Sequence, residues 1–116
     1  MTPQEIFDYS VRHMRKQGVQ AKSYDTCQYL TDQGLSCAIG CFIKDDPELC
    51  YELDDCENAA IDDVFDEFKD QLPDWMGNNL PLLVSLQSLH DFYLDTSGFE
   101  EGVIRMADKH GLKVPA

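Results

Sequence analysis

The sequence is poor in positive charge. Nine lysines and arginines face twenty-two aspartates and glutamates, a formal net charge of −13. A field of that sign repels phosphate backbones, which argues against direct nucleic-acid binding. No run approaches the roughly 20 apolar residues that a membrane-spanning helix needs. The opening Met1-Thr2-Pro3-Gln4-Glu5 lacks the basic start and apolar stretch of a secretion signal. The expected setting is therefore cytoplasmic, with no membrane partner. There is no Cys-x-x-Cys pair for thioredoxin-like redox chemistry, and no glycine-rich phosphate loop. Acids crowd together between Asp45 and Glu57, but none of them alternate around a central glycine as in a calcium-binding hand loop. No cofactor is expected.

What remains is enough for a packed domain. Hydrophobic residues make up 43% of the 116 residues and aromatics 10%, too many for intrinsic disorder. The length fits one domain over residues 1–116. Five cysteines, Cys27, Cys37, Cys41, Cys50 and Cys56, are an odd number and read as reduced thiols in a leaderless chain.

The acidity belongs to one segment. Residues 44–75 hold thirteen acids against Lys44 and Lys69, whereas residues 1–43 hold four acids and four bases. Within it, residues 58–71 place Ala60, Ile61, Val64, Phe65 and Phe68 at helical spacing, continued by Leu72 just beyond, with Asp62, Asp63, Asp66, Glu67 and Asp70 opposite. That pattern predicts an amphipathic helix whose outer face is almost wholly negative.

The other elements follow from caps and periodicity. Thr2-Pro3-Gln4-Glu5 reads as a capping box with proline in the first turn, opening a helix over about 3–17 that Gly18 closes. Residues 27–30 and 36–39 read as a β-hairpin around the turn Thr31-Asp32-Gln33-Gly34. Residues 44–57 read as a loop with at most one helical turn, and 73–78 as a connector. A helix over about 80–94 is capped by Asn79, and a last one over about 99–110 opens on a Ser97/Glu100 capping box. The expected fold is α+β and mainly helical, about four helices packed with one short β-hairpin. Ile6, Phe7, Val11, Val64, Phe65, Phe68, Leu83, Leu86, Leu89, Val103 and Ile104 form the expected core.

Three kinds of chemistry are conceivable. A zinc site would draw on the five cysteines with His13, His90 and His110. Only Cys37-x3-Cys41 approaches knuckle spacing, and Cys50-x5-Cys56 is too wide. Buried thiols acting as small hydrophobes explain these residues as well. A thiol hydrolase would pair Cys37 with His90 and Asp91, but His90 lies on the apolar side of its helix, where a core histidine is commoner. The third candidate is the acidic segment itself, where Tyr51, Phe65, Phe68 and Trp75 interrupt the carboxylates. A negative surface with apolar anchors fits a basic groove on a partner protein; a merely solvated, solubilising face is the plainer reading. The expected contact residues are Asp62, Asp63, Asp66, Glu67, Asp70 and Trp75. The leading expectation is a non-enzymatic protein-binding module, and the alternative is a small metal-stabilised or cysteine-dependent enzyme.

Several short motifs agree in order along the chain. They are Thr2-Pro3-Gln4-Glu5-Ile6-Phe7-Asp8, Gly34-Leu35-Ser36-Cys37-Ala38-Ile39-Gly40-Cys41-Phe42-Ile43, Leu86-Gln87-Ser88-Leu89-His90-Asp91 and Ala107-Asp108-Lys109-His110-Gly111-Leu112. In these the chain resembles a group of small accessory proteins of tailed phages and prophages. In that group a Pro-Asp pair often follows the apolar run; Lys44-Asp45-Asp46-Pro47 departs from this, and residues 45–57 are unusually acidic and cysteine-rich. The group has no assigned activity, so the resemblance carries over no catalytic residue. It implies a setting in the bacterial host cytoplasm, where such proteins often serve host takeover or inhibit host defence.

Overall fold

The structure is a computed structural model describing residues 1–116. It contains six α-helices and one two-stranded antiparallel sheet, so it is mainly helical but has more helices than the sequence suggests. Twenty-six buried residues form a single hydrophobic cluster to which all of the long helices contribute. No helix is long and apolar enough to cross a membrane.

Helix α1 (Pro3–Gln17) is built as its caps dictate. The Glu5 amide donates to Thr2 Oγ1 at 3.1 Å, and the Thr2 amide donates to Glu5 Oε1 at 2.8 Å. Gly18 ends the helix at a φ of 74°, a left-handed conformation that costs glycine nothing. Ile6, Phe7, Val11 and Met14 are fully buried on its inner side.

The hairpin is not where the sequence places it. Strands β1 (Lys22–Ser23) and β2 (Thr26–Cys27) pair Lys22 with Cys27 and Ser23 with Thr26. Tyr24 and Asp25 turn between them, both at positive φ, as a two-residue primed turn requires. The expected pairing of 27–30 with 36–39 survives only as one bridge, Leu30 to Ser36, around the Thr31–Gly34 turn. The reason lies in the backbone donors, which side chains satisfy before a ladder can form. Asp54 accepts from the Tyr29 amide at 2.7 Å. Cys37 Sγ accepts from the amides of Ile39 and Gly40 and turns the chain into a 3-10 turn over Gly40–Phe42. A Cβ at Gly40 would lie 1.9 Å from the Tyr29 carbonyl oxygen, so this close approach of the two segments requires glycine.

Helix α2 (Pro47–Asp54) replaces the expected loop. Asp46 caps it, accepting from the Leu49 amide at 3.2 Å, and Leu49, Cys50 and Leu53 face the core. Helix α3 (Ile61–Phe68) is shorter than the expected 58–71, and Asp70 lies beyond its end. Its last turn contains no base, and Lys69 at the C-cap is the one cation set against the carboxylates Asp66, Glu67 and Asp70 near the negative end of the helix dipole. Phe65 is half-buried rather than core; its ring packs over Gly77, where a Cβ would meet it at 2.8 Å. Gly77 ends α4 (Asp74–Gly77), a short helix within the expected connector.

Helices α5 (Leu80–Tyr93) and α6 (Phe99–His110) match expectation in place but not in every cap. Neither Asn79 nor Ser97 makes a capping bond. The Gly98 amide donates instead to Thr96 Oγ1 at 3.2 Å. Ile104, expected inside, is exposed; Val103 is buried as expected, together with Phe99, Met106 and Ala107 of α6.

Candidate functional site

Two places carry the chemistry the sequence raised. The first is the acidic surface. Asp62, Asp63, Asp66, Glu67 and Asp70 are all exposed, and none of them accepts a hydrogen bond or joins an ion pair. The chain has two ion pairs, Arg15–Glu100 and Arg105–Glu101, and one close histidine–carboxylate contact, His90–Asp91; none of them involves residues 44–75. Of the thirteen acids in that segment only Asp46 and Asp54 have a structural duty, as the α2 cap and as acceptor for Tyr29. Burial raises the Asp54 carboxyl above its ordinary value, and the hydrogen bonds from the Tyr29 and Leu30 amides offset this only in part. Acids from two helices meet around Cys56. Its thiol is raised first by burial, then by the charges of Glu67, Asp55 and Glu52.

The aromatic anchors are arranged less simply than expected. Phe68 is turned into the core. Trp75 is half-buried and stands edge-on to Phe42, 5.0 Å between ring centres, and Phe42 in turn packs on Tyr9 at 4.9 Å. Tyr51, on α2, is the anchor that stays largely exposed.

The second place is a pocket of about 270 Å³ between the hairpin, residues 59–60 and α5. Gln20 anchors the segment before the hairpin to the end of α5, donating to the carbonyls of His90 and Asp91 at 3.1 and 2.7 Å. This docking sets Cys27, rather than the expected Cys37, beside His90 and Asp91, with their ligand atoms within 4.8 Å of one another. No chain-order argument distinguishes Cys27 from Cys37; the difference is made by the misplaced hairpin.

The hydrogen bonds of His90 decide what this cluster can do. The ring is fully buried. Its Nε2 receives the Ala21 amide at 3.0 Å, and an amide can only donate. The proton of the neutral ring therefore sits on Nδ1, which donates to Asp91 Oδ1 at 2.7 Å. Both nitrogens are committed. A metal at Nδ1 would move the ring proton to Nε2, against the Ala21 N–H, whereas a ligating histidine needs an acceptor there. A nucleophile's proton finds no free lone pair either. Burial first, then the neighbouring Asp91 charge, pushes the Cys27 thiol up to about 12, away from the thiolate that nucleophilic chemistry uses.

The other thiols are packed and hydrogen-bonded. Cys37 is raised by burial. Burial pushes Cys41 up to about 12 and Cys50 to about 11. Cys41 donates to the Ala38 carbonyl, Cys50 to that of Ile43, and Cys56 to that of Glu52. All five are free, and neither Cys37-x3-Cys41 nor Cys50-x5-Cys56 gathers a third ligand.

A hydrogen-bond chain joins the pocket to the acidic helix. Gln87 of α5 accepts from the Ile61 amide at 2.9 Å and so caps α3, whose own cap residue, Ala60, has no side-chain acceptor. The same side chain donates to the Tyr29 hydroxyl at 3.0 Å, and that hydroxyl donates to the Ala59 carbonyl. No protein family, curated protein or solved structure matches this chain.

Proposed function

We propose that this is a small accessory protein that acts by binding another protein rather than by catalysis, with its acidic face against a basic surface of that partner. The observation that carries this reading is the set of eleven exposed carboxylates in residues 44–75 that have no ion pair or structural bond within the chain. Solubility is served by fewer charges of mixed sign, and like charges at i,i+4, such as Asp62/Asp66 and Asp63/Glu67 on α3, each weaken the helix by a few tenths of a kcal/mol. A counter-charge supplied by a partner relieves that repulsion. The phage-type resemblance supports a bacterial host protein as that partner, and host takeover or inhibition of a defence system as the outcome.

The test compares capture of host proteins by the wild type and by an Asp66→Asn, Glu67→Gln, Asp70→Asn variant, each at low and high salt. These three positions lie at or past the C-terminal end of α3, where their charge opposes the helix dipole; Asp62 and Asp63, in the first turn, favour it. The reading expects a partner held by the wild type at low salt, released at high salt, and missed by the variant. A partner that both proteins retain at either salt concentration contradicts it.

A further inference from the structure

The pocket at the end of α5 presents one negative group in mainly apolar walls, with Gln28, Gln87 and Ser88 as the neutral polar members of its lining. Asp91 lines it beside Val84, Ala59 and Phe92. One carboxylate oxygen is held by His90 Nδ1–H, which fixes the group in place, and no lysine or arginine pairs with it. Lys22 stands opposite Cys27 across the hairpin but makes no ion pair. An anion is repelled here, and a neutral apolar guest would strip water from the carboxylate without replacing it. A cation on an aliphatic stem satisfies both parts of the lining. Phe92 is 71% exposed, so its ring is free to stack on a planar cation, which favours a guanidinium over an ammonium. The volume of about 270 Å³ lies just under the roughly 300–1,000 Å³ of ordinary small-molecule sites. That suits one side chain better than a cofactor.

We propose that this pocket receives an arginine side chain of the partner, its stem against Val84 and Ala59, its guanidinium on Asp91. The inference rests on the protein-binding reading above and names the anchor residue of that interface. The pocket borders Ala60, where the acidic helix begins, so a basic partner lying along α3 brings its side chains to the opening.

The test needs no partner. Nα-acetyl-arginine amide and its neutral isostere, Nα-acetyl-citrulline amide, are titrated into the full chain while the backbone and side-chain amide resonances are followed. Saturable shifts centred on Asp91 and the Gln87 side chain are expected with the arginine probe, and at least tenfold weaker binding with citrulline. Asp91→Asn, which keeps an acceptor for His90, should lower arginine affinity at least tenfold. Equal responses to the two probes in the wild type, or undiminished affinity in a folded Asp91→Asn protein, overturn the proposal. Should the probe fail while salt-sensitive capture of the partner persists, the pocket assignment falls and the acidic-face reading stands. Should the probe bind while capture ignores the acidic residues, the reverse holds.

Discussion

Removing Gln87 tests how the acidic helix is held. Its side-chain oxygen is the acceptor for the Ile61 amide, and Ile61 is fully buried, so no water replaces it. Gln87→Met keeps the length and volume but deletes the acceptor. A buried donor left unsatisfied costs about 1–3 kcal/mol. Tyr29 loses a donor but still donates to the Ala59 carbonyl, which adds little. Taking about 2 kcal/mol, and an unfolding entropy of about 2.1 cal/mol/K per residue over 116 residues, the melting temperature should fall by about 8 °C. Thermal denaturation followed by circular dichroism reads the shift. Hydrogen exchange locates it, because protection should drop first at Ile61 and through α3, before α1 or α6. A loss below about 0.5 kcal/mol, the low end for one hydrogen bond, or a protection change spread evenly over the chain, would refute the capping role.

Two further perturbations follow from the packing. Thiol labelling at neutral pH should be slow for all five cysteines in the native state, slowest at buried Cys37, and fast in denaturant; rapid native labelling of Cys27 would instead favour the enzyme alternative. Stability should fall as the pH drops through about 6.5, the ordinary histidine value. Burial lowers the folded-state value of His13, which sits 2.8 Å from the Ser36 carbonyl, and burial lowers that of His110 as well, so the unfolded chain binds protons more readily in this window. His13→Gln keeps a donor for Ser36 and should flatten part of that slope in denaturation midpoints measured between pH 7.5 and 5.5; an unchanged slope contradicts the assignment.

Elements with strong local signals were legible in the sequence. Thr2 to Glu5 and Gly18 bound α1 without help from the rest of the chain, and α5 and α6 follow from apolar spacing. Helix α2 was obscured because acids surround its Leu49 and Leu53, although Asp46-Pro47 is a cap followed by a first-turn proline and was the available signal. The hairpin moved because Asp54 and Cys37, distant or unremarkable in sequence, take the donors a ladder would use. Local reading cannot see that competition. The same shift exchanged Cys37 for Cys27 beside His90. The charge segregation of residues 44–75 was visible from composition alone, but where the face ends was not. Phe68 turns inward, Trp75 packs on Phe42, and Asp70 falls outside the helix.

The central claim is that the exposed carboxylates of α3 serve a partner and not the fold. It is tested most directly by measuring stability and association rate together in the Asp66→Asn, Glu67→Gln, Asp70→Asn protein. Removing like-charge and dipole repulsion should raise stability by several tenths of a kcal/mol. The association rate with the captured host protein should fall and lose much of its salt dependence, since exposed charge attraction acts over about 10 Å at 0.1 M salt. A variant that is more stable and associates as fast as the wild type at every salt concentration would contradict the account.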